Sequence, residues 1–293
     1  MAKAWALAVA FFVGLAGPAA AQQQRDPFNG GFGALELAFS PPEAARQVEL
    51  MSNAMSALQP QTPGQTDVYL LVASFWGDRV FESEATQAEE ILRAHLGIDA
   101  GHAILLSAGA GAAARRFPAS TPNNLSAAIG RIGALIDPAE DMVVVFLTSH
   151  GSPDGSMALR EANRMTAAFR PAHLRDAFAA ANVRNRVVIV SACFSGAFIA
   201  PLADDNTIVI TAAAPDRSSF GCQPENDWTF FGDAYFNHAV RGGAPLVGAF
   251  DQAKTLIDQW EHERNLAPPS NPQRYVGARA AAMLSRVERD VRR

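Results

Sequence analysis

The sequence predicts a three-layer α/β/α domain built on a mainly parallel sheet. Two observations carry this. Short, unbroken, β-branched runs recur, as at residues 142–147 (MVVVFL) and 186–190 (RVVIV). That is how strands buried on both faces read. Stretches with helical spacing lie between such runs, and this alternation places helices on both sides of a parallel sheet. No repeat and no second domain boundary interrupts the pattern.

The chain has 293 residues, of which 49% are hydrophobic. That is enough for one large domain with a sizeable core. The formal net charge is -5, and no basic block precedes the C-terminus. Nucleic acid is therefore not an expected partner.

Near the N-terminus, Lys3 is followed by an apolar run at 4–15, a break at Gly17-Pro18, and small residues at 19–21. This is the pattern of a secretory signal peptide cleaved after Ala21. An uncleaved anchor helix is the competing reading, but the run is short for a bilayer span. The expected organisation is a signal peptide at 1–21, an arm with a helix and linker at 22–66, and the main domain at 67–293. The mature chain is expected to be exported, periplasmic or secreted, without a membrane span.

In chain order, residues 46–58 have helical spacing at Val48, Met51, Met55 and Leu58, and 60–65 form a linker. Residues 67–75 (DVYLLVASF) read as the first core strand. A helix at 83–96 follows, with acidic residues in its first half that suit the helix dipole. Residues 102–107 form the second strand. The stretch 109–114 (GAGAAA) has a dinucleotide-like look, but Arg115-Arg116-Phe117-Pro118 breaks any helix that should follow, so a loop is expected. Thr121 caps a helix with Pro122 at its first position, running to about Ile136. After His150 come a polar loop at 151–156 and a short apolar segment. Pro171 opens a helix to about Ala181. Residues 206–211 form a further strand, 212–227 a polar loop, and helices follow near 228–240 and 246–266. Residues 268–272 form a loop, 274–276 an edge strand, and the chain ends in a basic helix.

The chemistry sits where two of these strands end. The first run leads into Thr148-Ser149-His150-Gly151, the second into Ser191-Ala192-Cys193-Phe194-Ser195-Gly196. Ligands of parallel sheets bind outside the carboxyl ends of the strands. One His and one Cys are thus expected at the same rim, where an imidazole can activate a thiol. A turn after Cys193 would aim backbone N–H groups at an attacked carbonyl oxygen. The other histidines fall within predicted helices or at strand edges. Metal chemistry lacks a motif, Asp204-Asp205-Asn206 reads as a turn, and no G-x-S-x-G elbow supports a serine hydrolase. A Cys193–Cys222 disulfide is the structural alternative for an exported chain.

These residues resemble the legumain (asparaginyl endopeptidase) family of cysteine peptidases, and more broadly the caspase-like group, over about 68–240. A third matching piece runs through Thr211-Ala212-Ala213, Pro215, Ser218-Ser219-Phe220, Cys222 and Phe231-Gly232-Asp233. The exported form is similar to bacterial members. The resemblance implies a caspase-like fold, no cofactor and a peptide or protein substrate. It implies Cys193 as nucleophile, His150 as acid/base or imidazolium partner, and the N–H groups of Gly151 and Cys193 as oxyanion donors. The family's pocket for an Asn side chain uses Arg, Glu, Ser and Asp. Ser218 and Asp233 fall on the last two, and Arg79 is the match for the first. Ser191 stands where the family has the Glu, and Gly77 where it has an Asn. The missing carboxylate predicts a more positive pocket that accepts Asp or another residue besides Asn. The expected function is therefore a cysteine endopeptidase working through a thioester, cleaving after Asn or Asp. An inactive, peptidase-like binding protein is the alternative from another class.

Overall fold

Residues 39–108, 116–161 and 164–292 are described by the computed structural model, without the side chains of 161–166. The expected signal peptide, the first part of the arm and the loop at 109–114 lie outside these residues. In order, the elements are α1 (Pro41–Ala57), β1 (Val68–Ser74), α2 (Arg79–Leu96), β2 (Ala103–Ser107), α3 (Pro122–Gly133), β3 (Met142–Thr148), β4 (Met157–Glu161), β5 (Arg164–Phe169), α4 (Pro171–Ala180), β6 (Asn185–Ser191), α5 (Ile199–Leu202), β7 (Thr207–Thr211), α6 (Phe230–Gly232), α7 (Leu246–Glu263), β8 (Gln273–Val276) and α8 (Ala278–Val291). A π-helical stretch (Asp233–Val240) continues α6.

The main sheet has the order β2-β1-β3-β6-β7-β8. All pairings are parallel except β7 with the edge strand β8. Strands β1, β3 and β6 are buried along their whole length. Their residues alternate between two cores, as the two-residue period of a strand requires. Leu70, Val72, Val144 and Ile189 face α2, the π-helix, α7 and α8, whereas Leu71, Ala73, Val145 and Val188 face α1, α3 and α4. This is the predicted three-layer fold.

Two helices begin earlier than expected, for local reasons. The first starts at Pro41 rather than Arg46, with prolines in the first turn where a missing N–H costs nothing. The second starts at Arg79, with Asp78 as N-cap, and ends at Gly97 in the left-handed conformation. Thr121 caps α3 as predicted, accepting from the Asn124 N–H. The apolar segment after His150 is instead the first strand of an antiparallel hairpin, β4–β5. Its sequence does not alternate cleanly, because the pairing shifts register between Leu159 and Arg160. The hairpin is fastened to the rim: Ala158 N–H donates to the His150 carbonyl at 2.9 Å and Arg160 N–H to the Phe75 carbonyl at 2.8 Å.

Candidate active site

The chain goes from β1 to β2 on one side and to β3 on the other. The order thus reverses between β1 and β3, and their carboxyl ends carry Trp76-Gly77-Asp78 and His150. That switch point is where open α/β sheets place their sites. The pairing Thr148↔Ser191 puts His150 and Cys193 each two residues beyond a matched position. Equal overhang in a parallel pair brings both to the same rim.

The two loops touch through Gly151. A Cβ there would lie 1.9 Å from the Cys193 carbonyl oxygen and 3.1 Å from its nitrogen. Backbone cannot give way by that much. Gly151→Ala is therefore expected to separate the loops, lowering kcat/KM by about a hundredfold and lowering Tm. Steady-state kinetics and thermal unfolding check this.

His150 sits in an aromatic clamp. The Trp76 ring lies 5.2 Å and the Phe81 ring 4.8 Å from it, both edge-on. Trp76 is in turn covered by the Arg160 guanidinium at 4.7 Å. Burial between these rings lowers the His150 pKa, and Asp78 opposes the shift. The Asp78 carboxylate is 3.9 Å from Nε2.

Cys193 lies in the turn after β6. Phe194 adopts φ 58°, an uncommon value for a side-chain-bearing residue. Its N–H is tied to the Arg217 carbonyl at 2.7 Å, and Gly196 N–H to Ala213 at 2.8 Å. The sulfur accepts from the Ser219 N–H at 3.3 Å. No hydrogen bond joins His150 to Cys193; their observed partners are Asp78 and Ser219. The N–H groups of Gly151 and Cys193 donate to no other described residue. Cys193 and Cys222 are free thiols, which removes the disulfide alternative. Burial pushes the Cys222 thiol up, and nearby Cys193 adds to the shift. Among the described residues no group of His, Cys, Asp and Glu could hold a metal ion. No described helix is long and apolar enough to cross a membrane.

The residues expected to recognise the substrate are not all brought together. Ser191 lies under the rim, buried. Ser218 is exposed, next to the Ser219 that meets the sulfur. Arg79 pairs with Asp227 at 2.6 Å, both largely exposed. Asp233 turns along its own helix to Asn237 at 2.7 Å and His238 at 3.6 Å.

Ser191 stands where the family has a Glu, and a buried acid lies beneath it. Glu84 of α2 accepts from Ser191 Oγ at 3.2 Å and from Thr229 Oγ1 at 2.6 Å. Thr148 Oγ1 donates to its other oxygen. This acid of the neighbouring helix holds the end of the strand from below, out of contact with solvent. Sequence reasoning missed Glu84, Asp78, Ser219 and Thr229. A signal for Glu84 existed: it falls on the stripe of Val80, Phe81, Ala85 and Ala88 that α2 buries, where a lone acid is out of place.

The family model described as Peptidase C13 matches residues 113–280, more than half of the chain. The chain belongs to the peptidase C13 family. A C13 chain is a cysteine peptidase, a hydrolase acting on peptide or protein substrates. The matched segment contains His150, Gly151, Ser191, Cys193, Ser218 and Asp233, whereas Arg79 and Glu84 precede it. Among solved structures, caspase-1 from Spodoptera frugiperda is similar with a TM-score of 0.50 and 11% identity. The likeness covers 73% of this chain and 86% of that one. At that identity it shows the caspase-like fold alone. No curated protein matches the sequence of this C13 peptidase at a significant level.

Proposed function

We propose that this C13 peptidase is an endopeptidase whose dyad is Cys193 and His150, working through a thioester. The observation that carries the reading is the contact of the two rim loops. Gly151 packs on the Cys193 backbone, and neither residue's N–H donates to another described residue.

In the first step Cys193 Sγ attacks the peptide carbonyl carbon and its proton passes to His150. Burial favours the neutral imidazole that can accept it. The oxyanion is held by the Gly151 and Cys193 N–H groups, which act in a partly desolvated site. The imidazolium then protonates the leaving amine, leaving an acyl-thioester on Cys193. His150 takes a proton from water, the hydroxide adds to the thioester, and the acid and the thiol are released. Asp78 faces Nε2 and steadies the imidazolium while it exists.

For the residue before the cleaved bond we propose Asn or Asp. Arg79, at the start of α2, would exchange its exposed Asp227 partner for substrate, and the resemblance adds Ser218 and Asp233, with Ser191 in place of the family's Glu. A donor-rich pocket with acceptors suits a short polar side chain. The N-terminal segment supports export of the enzyme, with removal of the leader after Ala21.

Peptides ending in a thiol-reactive electrophile after Asn, Asp, Ala or Lys test this reading. The expected result is a covalent adduct on Cys193, seen by mass spectrometry, with Asn or Asp preferred and dependence on His150. A folded protein that forms none supports the inactive binding relative instead.

A further inference from the structure

We propose that Glu84 is a positioning residue of this site: its buried carboxylate ties the ends of the His150 and Cys193 strands and the start of α6 together, and its ionisation sets how firmly. The proposal rests on the reading of Cys193 and His150 as the dyad.

Glu84 is fully buried, and no basic side chain pairs with it among the described residues. Its partners are hydroxyls and one main-chain group. Thr148 Oγ1 donates to one oxygen, and Ser191 and Thr229 to the other. The Thr229 N–H lies near the carboxylate and favours its charged form. An ionised carboxylate has about four acceptor positions, and the three hydroxyls take most of them. The Thr229 hydroxyl in turn accepts from the Gly232 N–H at 3.0 Å. Gly232 is pressed onto the carboxylate, since a Cβ there would lie 1.9 Å from Oε1.

The partners sit where they govern catalytic geometry. Thr148 lies two residues before His150 and Ser191 two before Cys193, and the two face each other in register. One carboxylate therefore clamps the paired strand ends from which both reactive groups project. When ionised it accepts from every partner. When protonated it must donate through its own O–H, and one donor has to turn away.

The proton arrives in a useful range. Burial pushes Glu84 up to about 7, although its hydroxyl and N–H partners pull the other way. The titratable groups around it are few. Cys222, from the loop after β7, is pushed up in part by the Glu84 charge. His150 and Cys193 stand beyond β3 and β6, and Asp78 precedes α2. Asp233, beside Gly232, turns to Asn237 and His238, and Glu82 on the same helix turns to Ser107.

The test is iodoacetamide alkylation of Cys193, resolved from Cys222 by peptide mass spectrometry, from about pH 5 to about pH 9. In the full chain the Cys193 rate should step up near about 7, beyond the rises that the thiol and His150 give by themselves. Glu84→Gln keeps the shape and loses the charge. It should remove the part of the rise that belongs to Glu84, leaving that of His150, and slow the reaction at high pH by about tenfold or more, with the circular dichroism retained. Thr148→Val removes one donor to the charged form and should move the step to higher pH. Thr148→Ser, which restores the hydroxyl, should move it back, and this pair decides the matter if Glu84→Gln fails to fold. A Glu84→Gln profile superimposed on wild type, or a Thr148→Val step that stays in place, overturns the proposal. Failure of the dyad reading looks different: wild-type Cys193 then reacts no faster than Cys222, and His150→Ala changes nothing. That result removes this proposal as well.

Discussion

Cys193→Ala is expected to lower peptide turnover by about ten-thousandfold or more, with the fold intact. The reason is the route. A thioester path needs a sulfur at the attacked carbon, which alanine lacks. The sulfur has room to be lost, because it is only partly buried and contacts Ser219 at its edge. The turn that carries it is held by Phe194 and Gly196 main-chain bonds, which the substitution leaves alone. His150→Ala should cost a similar factor, and the double variant little more, since the two act as one unit. Matched kcat/KM values for the three variants are the measurement. Full turnover by pure Cys193→Ala would remove the dyad from consideration.

The second large effect is on stability. Glu84 rises from an ordinary 4.5 to about 7 in the folded chain, with burial as the main cause. Between those values the native protein holds a proton that the unfolded chain has lost. The unfolded state then binds fewer protons, so stability falls as pH rises through this window and levels off above it. The span corresponds to ~3 kcal/mol at most. Glu84→Gln cannot ionise and should lack this part of the slope. His150 contributes with the opposite sign, because burial lowers its pKa, and Glu82, Glu89 and Glu261 with the same sign as Glu84. All of these remain in both proteins and cancel in the difference. Urea unfolding of wild type and variant at about pH 5, 6, 7 and 8 reads it directly. Parallel curves for the two proteins would show that Glu84 does not titrate in this range.

Much of this protein is legible in one dimension. Runs such as 142–147 and 186–190 are too apolar and too β-branched for anything but central strands. The reactive residues end those runs, so strand position alone puts His150 and Cys193 at one rim. Turn chemistry is equally local: Thr121 and Pro122 start α3 where they were expected to. The hairpin β4–β5 was not legible, because a register shift breaks the alternation that marks a strand. Nor were the partners of the site's charges. Arg79 meets Asp227, 148 positions away, and Glu84 meets Ser191, 107 positions away.

What the sequence by itself determined is therefore the sheet, its rim and the two reactive residues that lie just beyond its paired strand ends. Each follows from short-range pattern: side-chain period, branching and the residues that stop a strand. Only the tertiary structure decided that a helix supplies the carboxylate beneath Ser191, that Gly151 is wedged against Cys193, and that aromatic rings close on His150. Those outcomes depend on which faces of distant elements pack together. Burial, not residue type, sets what an acid or an imidazole does there.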